Sequence, residues 1–335
     1  DLFQSYLDNS DLSSLEITQT INQLSAQSTK AILASNINII GNSMKSVEGR
    51  LNNSKKYSEG LWMKTFGSSA SQEQVGDDDG YNANSFGFII AADQRSDNSD
   101  IYGASLSYSN STIKSSDNLK SNLVDIYQVN FYREWDFSKY FLDAVGGFAW
   151  SAYKSNRSIL AVNANAGARF NGQSYAAKIK AGSKYHINDN FNVTPAITVN
   201  FIRNNIGGYS EDGADSLNLK VEKISADFLE TRAGVKMGWN FKPRQFPEFN
   251  KISTNFKISY GYSFINDAPE TISRFEGQNT SFSNEISQID RRSIKIGTQI
   301  SAYHMDDITF SADYDFEHRE TYKSHFVSLR MRQEF

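Results

Sequence analysis

From residue 60 onward, apolar and polar residues alternate along the chain, which is the pattern of β-strands with one apolar face. The clearest run places apolar or Thr side chains at alternate positions, namely Ile252, Thr254, Phe256, Ile258, Tyr260, Tyr262 and Phe264. Two further runs, 229–241 and 308–317, repeat the pattern over roughly 10–14 residues, the length that a tilted strand needs to cross a bilayer. Strands of soluble proteins average only about 5–6 residues. The side chains expected to contact lipid include Val235, Ile258, Tyr260, Tyr262 and Phe310.

The alternation predicts about twelve strands. They lie near residues 60–67, 85–95, 101–113, 122–135, 140–154, 172–187, 191–204, 228–241, 251–265, 286–303, 308–317 and 322–335. Short connections are expected at 96–100, 136–139, 188–190, 242–250 and 304–307, and long polar ones at 68–84, 155–171, 205–227 and 266–285. Outer-membrane barrels have short periplasmic turns and longer outer loops. The predicted fold is an all-β membrane protein, a twelve-stranded antiparallel transmembrane β-barrel whose two ends lie on the periplasmic side.

Aromatic residues lie near both ends of the predicted strands. Those with outward parity near the periplasmic ends are Tyr102, Trp135, Tyr185, Trp239, Phe241 and Phe335, and those toward the outer ends are Trp150, Tyr262 and Phe264. Two belts of amphipathic rings are expected where a barrel meets its two lipid–water boundaries.

Before residue 56 the period changes to that of a helix. Ser13 and Glu16 form a capping box, and Ile17, Ile21 and Leu24 follow on one helical face. After a Ser- and Gln-rich stretch, apolar residues return with a spacing of four and three, as Leu33, Ile37, Ile40, Met44, Val47 and Leu51. This spacing predicts a helix around residues 30–52 with one narrow apolar stripe. A coiled-coil stalk or an ordinary surface helix would show the same periodicity.

A stripe only one side chain wide suits neither lipid, which needs an apolar surface all round, nor water, in which a lone helix is marginal. The lumen of the barrel would satisfy both constraints. Polar walls would meet Lys45, Glu48 and Arg50, and the stripe could rest on inward apolar residues such as Ile89 and Ile202. About 22 residues at about 1.5 Å each span about 33 Å, close to the hydrocarbon thickness.

Composition and charge exclude few classes of protein. The mean hydropathy of −0.52 and the lack of an apolar run of about 18 residues exclude a transmembrane helix but not a barrel. The net charge of −4 and the scattered basic residues give no reason to expect a nucleic-acid partner. No cysteine, metal-ligand spacing, phosphate loop or nucleophile elbow is present, so no catalytic residue, metal or cofactor is predicted. Because the sequence begins at Asp1 without a signal peptide, we expect a piece of a longer exported protein.

The polar faces of the predicted strands carry charges that would line a water-filled lumen. The candidate pore-lining residues are Lys178, Lys180, Glu230, Arg232, Lys236, Lys257, Lys295, Asp313, Asp315 and Arg330, joined by Lys184, Arg332, Asp125 and Glu334. They could pair with the charged residues of the helix or simply remain hydrated. An outer-membrane protease would need Asp and His together at the outer rim, and His318 near Glu317 and Asp315 is the candidate.

The last predicted strand alternates up to the final residue. Val327, Leu329, Met331 and Phe335 share its apolar face. This face resembles the C-terminal signal that the barrel-assembly machinery recognises, with Gln333 where an apolar residue is usual. Together with Met44–Leu51 and the Trp-containing strand Gly60–Gly67, the chain over residues 30–335 resembles the translocator domain of monomeric autotransporters, the type V secretion pathway.

The resemblance implies that residues 1–29 end a passenger or linker, 30–56 form the pore helix and its turn, and 57–335 form the translocator barrel. It implies a monomer in outer-membrane lipid that delivers its own N-terminal passenger to the bacterial cell surface, with periplasmic chaperones and the barrel-assembly machinery as partners. Some family members cut themselves by Asn cyclisation, for which Asn52–Asn53 is the candidate. The alternatives are a diffusion channel or barrel enzyme with a helical appendage, and a soluble β-rich binding module.

Overall fold

The computed structural model describes residues 22–26, 29–51, 59–76, 79–96, 100–284, 288–304 and 307–334. Within these residues a long helix, α1 (Thr29–Leu51), precedes twelve long strands. The strands are β1 (Glu59–Gln72), β2 (Tyr81–Arg95), β3 (Ile101–Ser115), β4 (Lys120–Phe137), β5 (Tyr140–Ile159), β6 (Ala164–Ser183), β7 (Phe191–Ile206), β8 (Ile224–Phe241), β9 (Phe249–Asn266), β10 (Arg292–His304), β11 (Ile308–His318) and β12 (Tyr322–Glu334). The predicted capping box at Ser13, with Ile17 and Ile21, lies outside the described residues.

The sheet closes on itself. Each strand pairs antiparallel with its sequence neighbours, and β12 pairs with β1, where Gly60 lies opposite Glu334 and Gln72 opposite Tyr322. Closure pairs the strands on both sides, as a bilayer requires, because hydrocarbon offers no partner to a free backbone group. The predicted twelve-stranded barrel is confirmed among the described residues. We call the rim that carries Gly60 and Glu334 the terminal rim and the opposite one the loop rim.

Alternate side chains point to opposite sides of the barrel wall. Ile258 is 44% exposed and Phe310 is 45% exposed on the outer face, whereas Asp313 is only 6% exposed and points inward. Tyr260 and Tyr262 share the face of Ile258, and Val235 lies opposite Ile258 in the β8–β9 pair. An exposed apolar surface of this extent is a surface for lipid. Among the described residues, α1 included, no helix has the length and apolar character to span a membrane.

Aromatic side chains lie on the outer face near both rims, as the sequence predicts. Tyr102, Trp239 and Phe241 are exposed toward the terminal rim, and Trp150 and Phe264 toward the loop rim. Rings at these levels can contact lipid and water together.

The strands extend further toward the loop rim than the alternation indicates. The long connection predicted at 155–171 shrinks to 160–163, because β5 continues to Ile159 and β6 begins at Ala164. The connections 116–119 and 319–321, both at the loop rim, are also short, so the predicted alternation of short turns and long outer loops holds only in part. Apolar alternation marks where a strand contacts lipid, whereas backbone pairing continues beyond the bilayer, where both faces can be polar.

Two longer outer loops form a small sheet of their own. Its four short strands, within the described residues, are Tyr209–Ser210, Leu219–Val221, Thr271–Phe275 and Phe282–Asn284. Tyr209 stacks on Phe170 of β6 with ring centroids 4.2 Å apart, and Phe170 stacks on Tyr153 of β5 at 4.8 Å. This stacking attaches the loop sheet to the barrel wall.

Replacing Val235 with Arg places a charge on the lipid-facing side of β8. We expect the free energy of unfolding to fall by roughly 2–4 kcal/mol, the cost of a basic side chain near the bilayer midplane. Urea unfolding in lipid vesicles measures it. The inward neighbour provides the control, since Lys236→Arg keeps the charge in the lumen and should change little. Equal losses in the two variants would contradict the assignment of faces.

Candidate functional site

The helix α1 lies inside the barrel, against a wall of small residues. The inward face of β3 carries Ser105, Ser107, Ser109 and Ser111 at alternate positions. Ser43 of α1, which is fully buried, has its Oγ 3.0 Å from Oγ of Ser107, and Oγ of Ser35 lies 3.2 Å from Oγ of Ser111. Because the side chains on both surfaces are small, the helix backbone can approach the strand closely. The predicted helix in the pore is confirmed.

Asparagine side chains fix the same helix to other strands. Asn36 Nδ2 donates to the hydroxyl of Tyr153 on β5 at 2.6 Å, and Asn38 Nδ2 donates to the hydroxyl of Tyr322 on β12 at 2.8 Å. Asn130 of β4 donates to Oγ of Ser43 at 3.2 Å. These directional contacts require one rotation and one height of α1 in the lumen.

The predicted apolar stripe lies largely as the sequence places it. Leu33, Ile40, Met44 and Val47 are buried in one continuous apolar cluster, which also contains the inward residues Ile89 and Ile202. The stripe differs at one point, because Ile39 is buried in this cluster while Ile37 is only half-buried and lines a cavity. The expectations for the side chains of Arg50 and Leu51, for cleavage at Asn52–Asn53 and for Phe335 lie outside the described part of the chain.

A cavity of about 240 Å³ lies on the other side of α1, between the helix and the inward faces of β6 to β11. Gly41 faces open space there, since a Cβ added to it would meet no atom within 4 Å. The helix is therefore packed against one side of the lumen, while the other side is an open polar volume.

Two charged residues of α1 pair with opposite charges on distant strands. Lys45 forms an ion pair with Asp315 of β11. Glu48 accepts from Lys180 Nζ at 2.7 Å and lies 3.1 Å from Lys178 Nζ, both on β6. Since β6 and β11 lie nearly opposite each other in the ring, these pairs connect α1 to two sides of the barrel. Because desolvation of the two charges offsets much of their attraction, we expect these pairs to fix the position of α1 more than to raise net stability.

The barrel wall carries further ion pairs that do not involve the helix. Lys64 of β1 lies 3.1 Å from Asp313. Near the loop rim, Arg319 lies 3.0 Å from Glu230 and 2.9 Å from Glu317. Lys295 lies 2.9 Å from the second oxygen of Glu317. The carboxylates on β11 thus have cationic partners within the lumen.

The predicted pore-lining residues have their side chains on the inward side of the strands. They are Lys178, Lys180, Glu230, Arg232, Lys236, Lys257, Lys295, Asp313, Asp315 and Arg330. Lys236 and Lys257 line the cavity rather than contact the helix. Val327, Leu329 and Met331 are exposed on the outer face of β12. The function assigned to these residues stays a prediction.

Asp125 does not line the lumen, and the prediction for it is wrong. It lies on the outer face of the wall, where it accepts from the hydroxyl of Tyr108 at 2.6 Å and from Asn110 Nδ2 at 2.9 Å. The inward face of β4 instead includes Val124 and Ile126, both buried. Because the lumen contains a helix, inward positions can be apolar, and polarity alone assigns the wrong face.

The candidate protease pair at the outer rim is also not formed. Glu317 points inward to Arg319 and Lys295, whereas His318 is exposed on the opposite face of β11 beside Phe316. No group of three or more His, Asp or Glu among the described residues is arranged to hold a metal ion.

The candidate pore-lining residues do not include Trp62 or Lys64 of β1, although the alternation in this strand indicates that both point inward. Its outward residues Leu61 and Met63 imply that Trp62 and Lys64 point inward. Trp62 Nε1 donates to Asp93 Oδ2 at 3.1 Å and to the hydroxyl of Tyr132 at 3.2 Å. Alternation does not indicate the orientation of Arg319, because this residue lies in a turn.

A barrel with a lipid-facing surface, a polar lumen and a helix within it defines an outer-membrane β-barrel of the translocator class. The Autotransporter beta-domain model matches residues 61–315, and the chain belongs to this family. It is a bacterial outer-membrane domain.

Relatives and solved structures agree with this assignment. The chain is 22% identical over 295 residues to outer membrane protein B of Rickettsia prowazekii (strain Madrid E), and 19% over 290 residues to outer membrane protein A of Rickettsia conorii (strain ATCC VR-613 / Malish 7). These matches cover 83% and 82% of this chain but only 17% and 14% of the relatives.

Among solved structures, the translocator domain of NalP from Neisseria meningitidis matches with a TM-score of 0.75 at 12% identity, covering 93% of this chain and all of that one. The beta domain of the Bordetella autotransporter BrkA matches with a TM-score of 0.64 at 14% identity, covering 83% of this chain and all of that one. At these identities the matches show a shared fold.

Replacing Glu48 with Gln removes the charge that pairs with Lys178 and Lys180. We expect α1 to leave its position more often, because charge-assisted hydrogen bonds contribute roughly 2 kcal/mol, about 30-fold in an equilibrium. Single-channel recording in planar bilayers measures the open fraction. Glu320→Gln, on the exposed turn at the loop rim, is the matched control. Unchanged gating in the Glu48 variant would contradict a role for the pairs in holding the helix.

Proposed function

We propose that this chain is the translocator domain of an autotransporter, which anchors in the outer membrane and delivers the passenger that precedes it to the cell surface. The observation that carries the proposal is the path of the chain. Residues 22–26 contact Lys120 and Arg157 at the loop rim, and Glu48 contacts Lys180 on the way to the terminal rim. A segment N-terminal to α1 therefore leaves the barrel at the loop rim, the expected outer side.

The lumen is suited to passage of a polar chain. Its walls combine serine side chains on β3 with ion pairs such as Lys64–Asp313, so that a moving segment meets polar groups beside the apolar cluster that packs against α1. The cavity of about 240 Å³ beside α1 offers space in addition to the helix itself. Delivery of this kind is transport and requires no bond-making step in the domain.

The proposed division of the chain follows from the same path. Residues 1–29 end the passenger or a linker, 30–56 form the pore helix and its turn, and 57–335 form the translocator, which acts as a monomer because one chain closes the barrel. A diffusion channel with a helical appendage would leave α1 outside the lumen. The contacts of Asn36, Lys45 and Glu48 with the barrel wall oppose that alternative.

Deleting residues 29–51 should convert a poorly conducting barrel into an open pore, because α1 occupies one side of the lumen. Conductance in planar bilayers measures the change. Fixing the helix should have the opposite effect. A disulfide between Ser43→Cys and Ser107→Cys, whose Oγ atoms are 3.0 Å apart, should suppress openings until it is reduced. The control pair, Ser43→Cys with Ser311→Cys on β11, should not form a disulfide. A pore that conducts equally with and without the helix would favour the diffusion channel.

The outward face of β12 is proposed as the signal for assembly. Val327, Leu329 and Met331 are exposed there and are available to the barrel-assembly machinery before lipid covers them. Chaperones of the periplasm are proposed to hold the chain until that step.

Deleting Phe335, the last residue of this apolar face in sequence, should lower the amount of barrel in the outer membrane severalfold. The urea stability of barrel that has already folded should change little. The control Phe310→Ala removes an outward aromatic from β11, opposite Met331, and changes no residue of the terminal strand. Equal insertion of the truncated and parent chains in cells would refute the assembly role.

A further inference from the structure

The segment that precedes α1 is held at the loop rim by residues of three neighbouring strands. Lys120 of β4 lies opposite Arg157 of β5, and Arg157 lies opposite Ala166 of β6. Together with Ile159 of β5 and Ala214 of the loop between β7 and β8, these residues form what we call the exit site. It is separate from the ion pairs of Lys45 and Glu48, which hold the C-terminal half of α1.

Two cations of the exit site donate hydrogen bonds to consecutive backbone carbonyls. Lys120 Nζ donates to Asn22 O at 2.8 Å, and Arg157 Nη1 donates to Gln23 O at 2.7 Å. Asn22 and Gln23 are helical and the chain turns at Leu24, so these carbonyls lie at the end of a helical turn. Asn22 O also accepts from the backbone N–H of Ser25 at 3.3 Å and from Ser25 Oγ at 2.9 Å. Cations at such an end also meet the negative pole of the peptide dipoles.

The guanidinium of Arg157 is also held by groups that do not belong to the segment 22–26. Arg157 is only 3% exposed, and its Nε donates to Glu211 Oε1 at 3.1 Å while Nη2 donates to Leu217 O at 2.9 Å. Lys120 lies 3.4 Å from Asp79. Like charges directly opposite each other in a β-pair are destabilising. The pairing of Lys120 with Arg157 therefore depends on acceptors, which these carboxylates and the two carbonyls of the chain provide.

Side chains of the segment are recognised as well. Gln23 Oε1 accepts from the backbone N–H of Leu160 at 2.8 Å. Leu24 packs against a small apolar cluster formed by Ile159, Ala166 and Ala214. The site thus takes a helix end by its carbonyls, then an amide side chain, then an apolar side chain.

We propose that the exit site binds the segment 22–26 where it leaves the lumen and fixes the direction in which the passenger leaves the barrel. Its occupant is the C-terminal end of a helix followed by an apolar residue, which in this chain is Gln23-Leu24. That the occupant belongs to a passenger rests on the proposed function, whereas its capture by the barrel does not. The sequence predicts a helical face with Ile17, Ile21 and Leu24, which agrees with an occupant of this kind.

A pair of cysteines tests the capture in the full chain, which has no cysteine of its own. Leu24→Cys with Ala166→Cys should form an intramolecular disulfide on mild oxidation in the folded barrel. Adding Arg157→Ala should slow the reaction at least fivefold, and so should Gln23→Ala, which alters the occupant and leaves the barrel untouched. Lys154→Gln, on the exposed face of β5, is the control and should leave the rate unchanged. Heat-modifiable migration on gels confirms that each variant is folded.

Two results would overturn the proposal. One is labelling of Leu24→Cys by a bulky thiol reagent as fast as labelling of Asp117→Cys in the exposed β3–β4 turn. The other is a disulfide rate that neither Arg157→Ala nor Gln23→Ala changes. Conductance after deletion of residues 29–51 is an independent readout. The proposal of the exit site can therefore be contradicted while the proposed translocator function is supported, and the reverse also holds.

Discussion

Closure of the sheet between β1 and β12 is the constraint on which the rest of the molecule depends. An unpaired backbone N–H or C=O in hydrocarbon costs several kcal/mol, so a sheet that enters the bilayer has to close. After closure each strand separates two environments, and alternate side chains adapt to one or the other. Ile258 and Phe310 therefore face lipid, while their neighbours Lys257 and Ser311 face the lumen. A polar lumen in turn accommodates a helix such as α1, whose apolar stripe is flanked by polar and charged side chains.

Lipid contact explains why so much of the fold could be predicted from the sequence. Every strand in the bilayer needs an apolar outer face, so the alternation finds the strands, their outward residues and the closed barrel. The alternation no longer predicts the strands beyond the lipid, where β5 continues to Ile159 and β6 begins at Ala164 without an apolar outer face. It also fails inside, where Val124 and Ile126 point at a helix rather than at water and Asp125 lies outside.

The partners of the helix could not be predicted, for a different reason. The sequence identifies Lys45 and Glu48 as polar flanks of an apolar stripe, and it identifies Asp315, Lys178 and Lys180 as inward charges. Which of them meet depends on the height and rotation of α1, which are set in three dimensions by contacts such as Ser43 with Ser107. Lys120, Arg157 and Arg319 lie near strand ends or in turns, where periodicity gives no signal.

The contacts of α1 also address a conflict between passage and retention. A lumen that bound every segment tightly would stop a moving chain, whereas one that bound none would leave the pore open. Ion pairs and hydrogen bonds in a polar lumen resolve the conflict. Their net contribution to the free energy of binding is small unless each donor lies within hydrogen-bonding distance of an acceptor. Lys45, Glu48 and Asn36 reach their partners together only at one height of the helix. A segment whose polar groups do not meet these partners would be bound less tightly, so α1 is retained at the height where its own side chains match the lumen.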